Sequence, residues 1–321
     1  MSGELPERTN GTVSKTVEVQ ASGGSNPPLS ATRIIGAGKL RIPSLTGADA
    51  AAVAVHAAPG EDGDAGIRIL QLDRPERLNA MNTQLIDDLH QAIASLRDDA
   101  SARVVILTGS GRGFCAGLDL MDPPIRADAK ERGRVRSSMD TQQRIASLVP
   151  ALANLQIPVI AAVNGAASGG GLALALASDI RIAAASAKFN VAFVRVGLSG
   201  CDIGVSWLLP RLIGASAAFE LLLTGRLVGA EEADRIGLVT RTVADEDLME
   251  SALETARLIC GNSPTGIWMT KEVMWSQLEV NSLAAGIDLE NRTQIMCTFT
   301  SDLGEAVAAF AEKRPPRFTG R

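Results

Sequence analysis

The sequence predicts an α/β core followed by an all-helical C-terminal stretch, and three observations carry that expectation. Apolar strand-like runs alternate with helical patterns from about residue 51 to 243. Beyond 243 the pattern is helical throughout, which separates a layered core from a helical appendage. Within the core, residues 158–171 read PVIAAVNGAASGGG and run straight into LALALASDI. That is an apolar strand joined by a small-residue turn to a helix apolar on every side, hence buried.

Each element can be justified in order. Residues 1–50 are rich in Ser, Gly, Pro and Thr, including SGGSNPP at 22–28, and hold no period of 2 or 3.6. They read as a flexible extension, with Leu40 to Leu45 offering a local contact at most. AAVAVHAAP (51–59) and GIRILQLDRP (66–75) flank a Gly/Asp-rich loop, which predicts a hairpin. Asn82 or Thr83 caps the next helix, TQLIDDLHQAIASLRDD, whose Leu85, Leu89, Ile93 and Leu96 form one stripe. The strand RVVILTG (103–109) leads into a glycine-studded loop, GSGRGFCAGLDL (109–120). Residues 122–140 are polar and charged and read as a surface lid or loop, with a helix over about 140–155.

After the glycine turn come the strand DIRIAA (179–184), a short AKFNV strand, and the loop VGLSGCD ending at Asp202. Helices follow at IGVSWLLPRLIG, SAAFELLLTG and AEEADRIG, then a VTRTV strand. Further helices are expected near 246–260, 265–276 and 283–298, and over DLGEAVAAFAEKR before the PP pair. The predicted division is an extension at 1–50, a core at 51–243 and a helical domain at 244–321.

Composition excludes several classes of function. The net charge is −5, aromatic residues make up 3% with Tyr absent, and no Lys/Arg stripe appears, so nucleic-acid binding has no electrostatic basis. No basic-then-apolar leader and no 18-residue apolar run occur, so a cytoplasmic protein with no membrane contact is expected. The four cysteines (Cys115, Cys201, Cys260, Cys297) are scattered without a C-x-x-C pair and read as free thiols. No metal-ligand spacing is present. Ser168 lacks a G-x-S-x-G frame, and neither His56 nor His90 follows it, which excludes a serine-hydrolase triad. A G-x-G-x-x-A match at 111–116 is followed by polar loop where a dinucleotide site needs a helix.

The positive signal is the Gly169–Gly170–Gly171 run at a helix start. The first N–H groups of a helix have no internal partner, and the helix dipole adds positive potential there. With no side chains to cover them, such groups suit a negative oxygen.

Six segments, taken together and in order, carry a family resemblance. They are LDRPERLNAMN (72–82), VVILTGSGRGFCAGLDL (104–120), PVIAAVNGAASGGGLALALASDIRIAA (158–184), RLIGASAAFELLLTGR (211–226), ADRIGLV (233–239) and AFAEKR (309–314). The chain resembles the crotonase superfamily, the enoyl-CoA hydratase/isomerase family, over roughly residues 50–318. The resemblance implies a crotonase-like spiral of strand-strand-helix units with a C-terminal helical trimerisation domain. It also implies homotrimers, often paired into hexamers, and acyl-CoA thioester substrates, with coenzyme A part of the substrate and no separate cofactor.

Carried over residue by residue, the resemblance assigns an oxyanion hole to the backbone N–H groups of Leu118 and Gly170, with Ala116 and Asp119 beside the first. It assigns CoA contacts to Arg77 and Lys313, where positive charge suits phosphate. In one respect the chain departs from the family's hydratases. Ala173 and Phe193 stand where those enzymes carry two catalytic glutamates, and neither can transfer a proton. Asp202 stands where dienoyl-CoA isomerases and aryl-CoA dehalogenases place an aspartate. It reads either as a proton carrier or nucleophile in an acyl pocket walled by Phe193, or as an N-cap on a helix beginning at Ile203. Cys201 beside it reads as a further lining residue. The expectation is isomerase-type proton transfer at a thioester enolate. The alternatives are a non-catalytic acyl-CoA binder, or a thioester hydrolase or dehalogenase using Asp202.

Overall fold

The computed structural model describes residues 51–59, 64–124 and 128–321. The predicted extension at 1–50, residues 60–63 of the loop between the first two strands and residues 125–127 of the expected lid lie outside the described residues.

The chain opens with the expected hairpin, β1 (Val53–Ala57) antiparallel to β2 (Ile67–Leu72). The helix α1 (Thr83–Asp98) is capped by Asn82, whose side chain accepts from the Leu85 N–H at 3.0 Å. Its predicted stripe of Leu85, Leu89, Ile93 and Leu96 is buried. Next come β3 (Val104–Gly109), β4 (Gly113–Cys115), α2 (Ala129–Arg132), α3 (Arg134–Ala146) and α4 (Leu148–Ala153). The expected loop at 122–140 is thus partly helical: α3 begins at Arg134, and only Ser137 of that polar helix is buried.

Two strand-strand-helix passages follow. The first is β5 (Val159–Val163), β6 (Ala166–Ser168) and α5 (Gly170–Ala177). The second is β7 (Ile180–Ala184), β8 (Lys188–Asn190), a 3-10 turn at Ala192–Val196, α6 (Val205–Ile213) and α7 (Ala215–Thr224). Then come β9 (Val228–Gly229), α8 (Ala230–Arg235), β10 (Arg241–Val243), α9 (Leu248–Cys260), α10 (Pro264–Gln277), α11 (Leu283–Thr298) and α12 (Ser301–Glu312). This is the expected α/β spiral with C-terminal helices.

Two sheets stack along the spiral. The larger runs in the order β1-β2-β3-β5-β7-β10, parallel from β2 onward, and the smaller runs β4-β6-β8-β9. Every residue of β3 and β5 is buried, as continuous apolar runs in a sheet covered on both faces require. Alternate residues serve different layers. Val105, Leu107, Val159 and Ala161 pack with α1, α4 and α5, while Val104, Ile106, Ile160 and Ala162 pack with Leu248, Ala252, Leu253 and Ala256 of α9.

That second layer differs from the expected boundary at 243/244. The α9 helix covers the sheet's other face and belongs with the core, so the helices beyond the sheet begin at α10. A helical period alone names an apolar face but not the surface it meets.

The step from large sheet to small is fixed by two buried amides. Asn164, between β5 and β6, accepts from the Gly109 N–H and donates to the carbonyls of Gly111 and Gly113. Asn79 is fully buried, accepts from the Arg74 N–H at 2.8 Å, and donates to the Ser110 and Gly113 carbonyls at 3.0 and 2.8 Å. Removing it strands the buried Ser110 carbonyl and the part-buried Arg74 N–H and leaves the Gly113 carbonyl to Asn164 alone. Asn79→Ala should therefore lower stability by about 3 kcal/mol, read from urea denaturation at neutral pH.

Candidate active site

Strands β4 and β6 are parallel neighbours, so their C-terminal ends lie at the same edge of the small sheet. The segment after β4 lies alongside residues 78–81. Ala116 N–H donates to the Leu78 carbonyl, Met81 N–H to Gly117, and Asp119 N–H to Met81. In this parallel bridge Met81 uses the groups on either side of Leu118. The Leu118 N–H therefore faces the opposite way, toward the end of β6.

There, Gly169 in an open φ of 50° donates to the Asn190 carbonyl and precedes α5. The first turn of α5 closes when Ala173 N–H meets the Gly169 carbonyl. The N–H of Gly170 stays outside that ladder. Neither it nor the Leu118 N–H has an acceptor among the described residues.

Two glycines bring these amides together. Gly117 has φ 92°, and a Cβ on it would stand 2.8 Å from the Ser168 carbonyl oxygen and 3.4 Å from the Gly170 nitrogen. A Cβ on Gly171 would stand 2.0 Å from the Cys115 carbonyl oxygen. Only glycine lets the start of α5 approach the β4 end so closely.

Leu118 and Gly170 both line a cavity of about 140 Å³, together with Met81, Ala116, Gly117 and Phe193. Phe193, on the 3-10 turn after β8, sets its ring against Gly169, 3.3 Å from where a Cβ would stand. Asp202 also lines the cavity, and it is the only titratable side chain among the described residues that do. Its carboxylate accepts from Gln142 Nε2 at 2.5 Å and from the Ile203 N–H at 2.8 Å.

The expected cap on a helix starting at Ile203 is corrected: α6 starts at Val205, and Gly204 is its N-cap with no side-chain bond. Ile203 and Gly204 both turn left-handed, at φ 36° and 85°, an uncommon conformation for a β-branched residue. This turn separates Asp202 from the helix start.

The other candidate residues lie apart. Asp119 is nearly inaccessible beneath the Leu118 loop, where its carboxylate accepts from the N–H groups of Met121 and Asp122 and from Arg74 at 3.1 Å. Arg77 is exposed on the Pro75–Arg77 turn, and Lys313 is exposed at the end of α12; neither lines the cavity. Cys201 is exposed, bonded through its N–H to Ser199, and also outside the lining. Burial pushes the Cys115 thiol up to about 12, which leaves it inert. His90 meets the Arg144 carbonyl, away from the site. Ala173 is buried within α5. Among the described residues no group of three or more His, Cys, Asp or Glu could hold a metal ion, and no helix is long and apolar enough to cross a membrane.

Sequence reading missed Arg74, Gln142 and Met81. Arg74 and Arg77 share the segment RPER, and nothing local tells which one turns inward. Gln142 sits in a polar stretch without a motif.

Residues 62–321 match the family model for enoyl-CoA hydratase/isomerase. A probable enoyl-CoA hydratase of Mycobacterium tuberculosis is 45% identical over 251 residues, covering 78% of this chain and 88% of the relative. The 1,2-epoxyphenylacetyl-CoA isomerase of Escherichia coli is 40% identical over 258 residues, covering 80% of this chain and 96% of the relative. A crystal structure of a probable enoyl-CoA hydratase/isomerase from Mycobacterium abscessus superposes with a TM-score of 0.77 at 37% identity, covering 85% of this chain and all of that one.

Asp119 makes the Leu118 loop sensitive to acid. Burial alone would raise its carboxyl; the two loop N–H groups and Arg74 outweigh that and hold it below the ordinary carboxylate value. A depressed folded-state value adds stability that is complete above the unfolded value of about 3.9 and is lost as pH falls through the folded one. Asp119→Asn should therefore be less stable than the native chain at pH 5–8, with the gap closing below about pH 4 in denaturant titrations across that range.

Proposed function

This chain belongs to the enoyl-CoA hydratase/isomerase family, and from that premise we propose that it moves a proton along an acyl-CoA thioester through a stabilised enolate. One observation carries the reading: Leu118 and Gly170, whose N–H groups have no acceptor among the described residues, line a cavity in which the single titratable side chain of the described residues is Asp202.

The chemistry follows from that inventory. The thioester oxygen accepts from both N–H groups. Asp202 takes a proton from the acyl chain, and the electron pair of the broken C–H bond moves through the conjugated carbons onto the thioester oxygen. The developing charge strengthens both hydrogen bonds, each contributing about 3 kcal/mol to the barrier reduction, as oxyanion-hole deletions indicate. Asp202 then returns the proton to a different carbon, the electron pair leaves the oxygen, and the double bond has moved. Gln142 holds the carboxylate in place through both transfers.

Ala173 and Phe193 argue against hydration by the usual glutamate pair, because neither side chain can take a proton from water or deliver one to carbon. The E. coli relative, named an isomerase of an aryl acetyl-CoA epoxide, fits the same direction. Phe193 supplies an aromatic wall, and a cavity near 150 Å³ has room for one benzene ring. For the CoA moiety, we assign Arg77 and Lys313 to its phosphates. Leu283, Phe299 and Phe310 on α11, α12 and the turn between them are more than four-fifths exposed, and a homotrimer or hexamer would cover them. Sedimentation equilibrium should return three or six chain masses, and a single chain mass would remove that assignment.

Mass spectrometry in deuterated water tests the mechanism, with saturated, 2-enoyl and 3-enoyl CoA esters and an Asp202→Asn variant. The native chain should incorporate deuterium and shift the double bond. The variant should bind the same esters and exchange about 10²- to 10⁴-fold more slowly. Unchanged exchange in the variant would take the chemistry away from Asp202. Free CoA or an acyl adduct on Asp202 would mark the hydrolase or dehalogenase alternative, and binding without exchange a non-catalytic binder.

A further inference from the structure

We propose that the cavity between α5, α6 and α10 binds a free apolar monocarboxylate, whose head group pairs with Arg181 and Arg211. The site is separate from the catalytic one. Leu176 and Ser178 place it at the far end of α5 from Gly170, and the two cavities share no lining residue among those described.

Size and lining set the body of the ligand. The cavity is about 400 Å³, within the range of roughly 300–1,000 Å³ found for small-molecule sites. A space of about 150 Å³ takes one benzene ring, so this one has room for about ten to sixteen carbons. Leu176, Ile180, Leu208, Leu212, Ile259 and Met274 supply apolar walls.

Charge sets the head group. The described lining residues include three cations, Arg181, Arg211 and Lys271, and one carboxylate, Asp179. That carboxylate is already occupied. It accepts from Lys271 Nζ at 2.8 Å, from Trp275 Nε1 at 2.7 Å and from the Val159 N–H at 2.7 Å.

The two arginines have only carbonyl partners among the described residues. Arg181 is 8% exposed; its Nε donates to the Leu238 carbonyl at 2.9 Å and its Nη1 to that of Ser178 at 2.6 Å. Arg211 is exposed, stacks on the Trp207 ring at 3.7 Å, and donates through Nη1 and Nε to the Trp207 and Leu278 carbonyls. In each guanidinium Nη2 takes no part in these bonds, which leaves N–H groups for a planar carboxylate. Burial pulls Arg181 down to about 10 against the opposing charge of Asp179, so it is still a cation at neutral pH. Carbonyl dipoles offset part of its desolvation and leave the charge uncancelled. An apolar space with a buried cation at one end and an exposed cation at the other suits a carboxylate on a hydrocarbon body.

Calorimetry of the full chain with decanoate, decanol and acetate at neutral pH tests the site. Decanoate should bind. Decanol, without charge, and acetate, without a body, should bind at least about tenfold more weakly, the loss expected of one hydrogen bond to a charged group. Equal affinity for decanol and decanoate would overturn the proposal.

Arg211→Gln and Arg181→Met should each weaken decanoate about tenfold on the same ground. Thr270→Trp, which fills the cavity from the exposed side of α10, should remove the decanoate heat. Should Arg181→Met not fold, the other two decide, and unchanged affinity in both would sink the idea. Saturating butanoyl-CoA should leave decanoate affinity unchanged; competition would place decanoate in the catalytic cavity and overturn the assignment. So would an affinity that falls as protein concentration rises, because a second copy would then fill the space. A chain that binds decanoate as described but no CoA ester would keep this site and lose the thioester reading.

Discussion

The carbonyl oxygen of Cys115 fills the space that a side chain on Gly171 would need, and the Ser168 carbonyl does the same beside Gly117. These two close approaches hold the end of β4 against the start of α5. Without them, Leu118 and Gly170 would not line one cavity. The contact rests on the pairing of β4 with β6, and that pairing rests on the parallel strands β3 and β5 that feed them. Asn79 and Asn164 fix the bends between the two sheets. The large buried sheet therefore supplies the rigidity, and the small sheet converts it into the placement of two N–H groups.

Such placement matters because the groups are dipoles oriented before any charge arrives. In water, solvent must reorganise around a developing oxyanion. Here α5 is buried along its whole length and begins at the cavity, so a negative oxygen placed there would meet dipoles already oriented by folding. Asp119 extends the same logic to the loop. Three donors fix its carboxylate, and the loop N–H groups it accepts lie just beyond Leu118. Its charge is spent on order, while Asp202, half-exposed at the cavity, holds only a side-chain amide and its own neighbour's N–H. Two aspartates in one region thus have separable parts, set by the number of donors each already satisfies.

How much of this was legible depended on length and contrast. The α1 stripe and the β3 and β5 runs are long, strongly periodic or fully apolar, and the sequence predicts them directly. Strands β4 and β6 have three residues each, drawn mostly from Gly, Ala, Cys and Ser, and no period can show in three small residues. Their pairing is a long-range event, yet it builds the site. The polar helix α3 escaped for the opposite reason: with one buried residue it has no apolar stripe to read. Asp202 stood before an apolar run and looked like a cap, because a left-handed Ile203 is a tertiary choice that composition does not announce. The glycine run and the Leu118 loop were legible through motif order, since their function needs bare backbone and bare backbone needs glycine.

Ala173 and Phe193 bring the argument back to proton accounting. Two carboxylates at one cavity divide the work of hydration, one taking a proton from water while the other supplies one to carbon. They also raise each other's affinity for protons. A lone carboxylate faces no such coupling: it leaves the reaction in the protonation state in which it entered, provided the proton it takes is the one it returns. A 1,3-proton shift asks no more than that of one group, which takes the proton from one carbon and returns it to another with no attacking water to hold and orient. Phe193, which by the family resemblance stands at the position of the second glutamate, sets its ring against Gly169 in the cavity lining. On the proposed mechanism, an aromatic wall there would lower the local polarity and strengthen the two hydrogen bonds to the enolate oxygen.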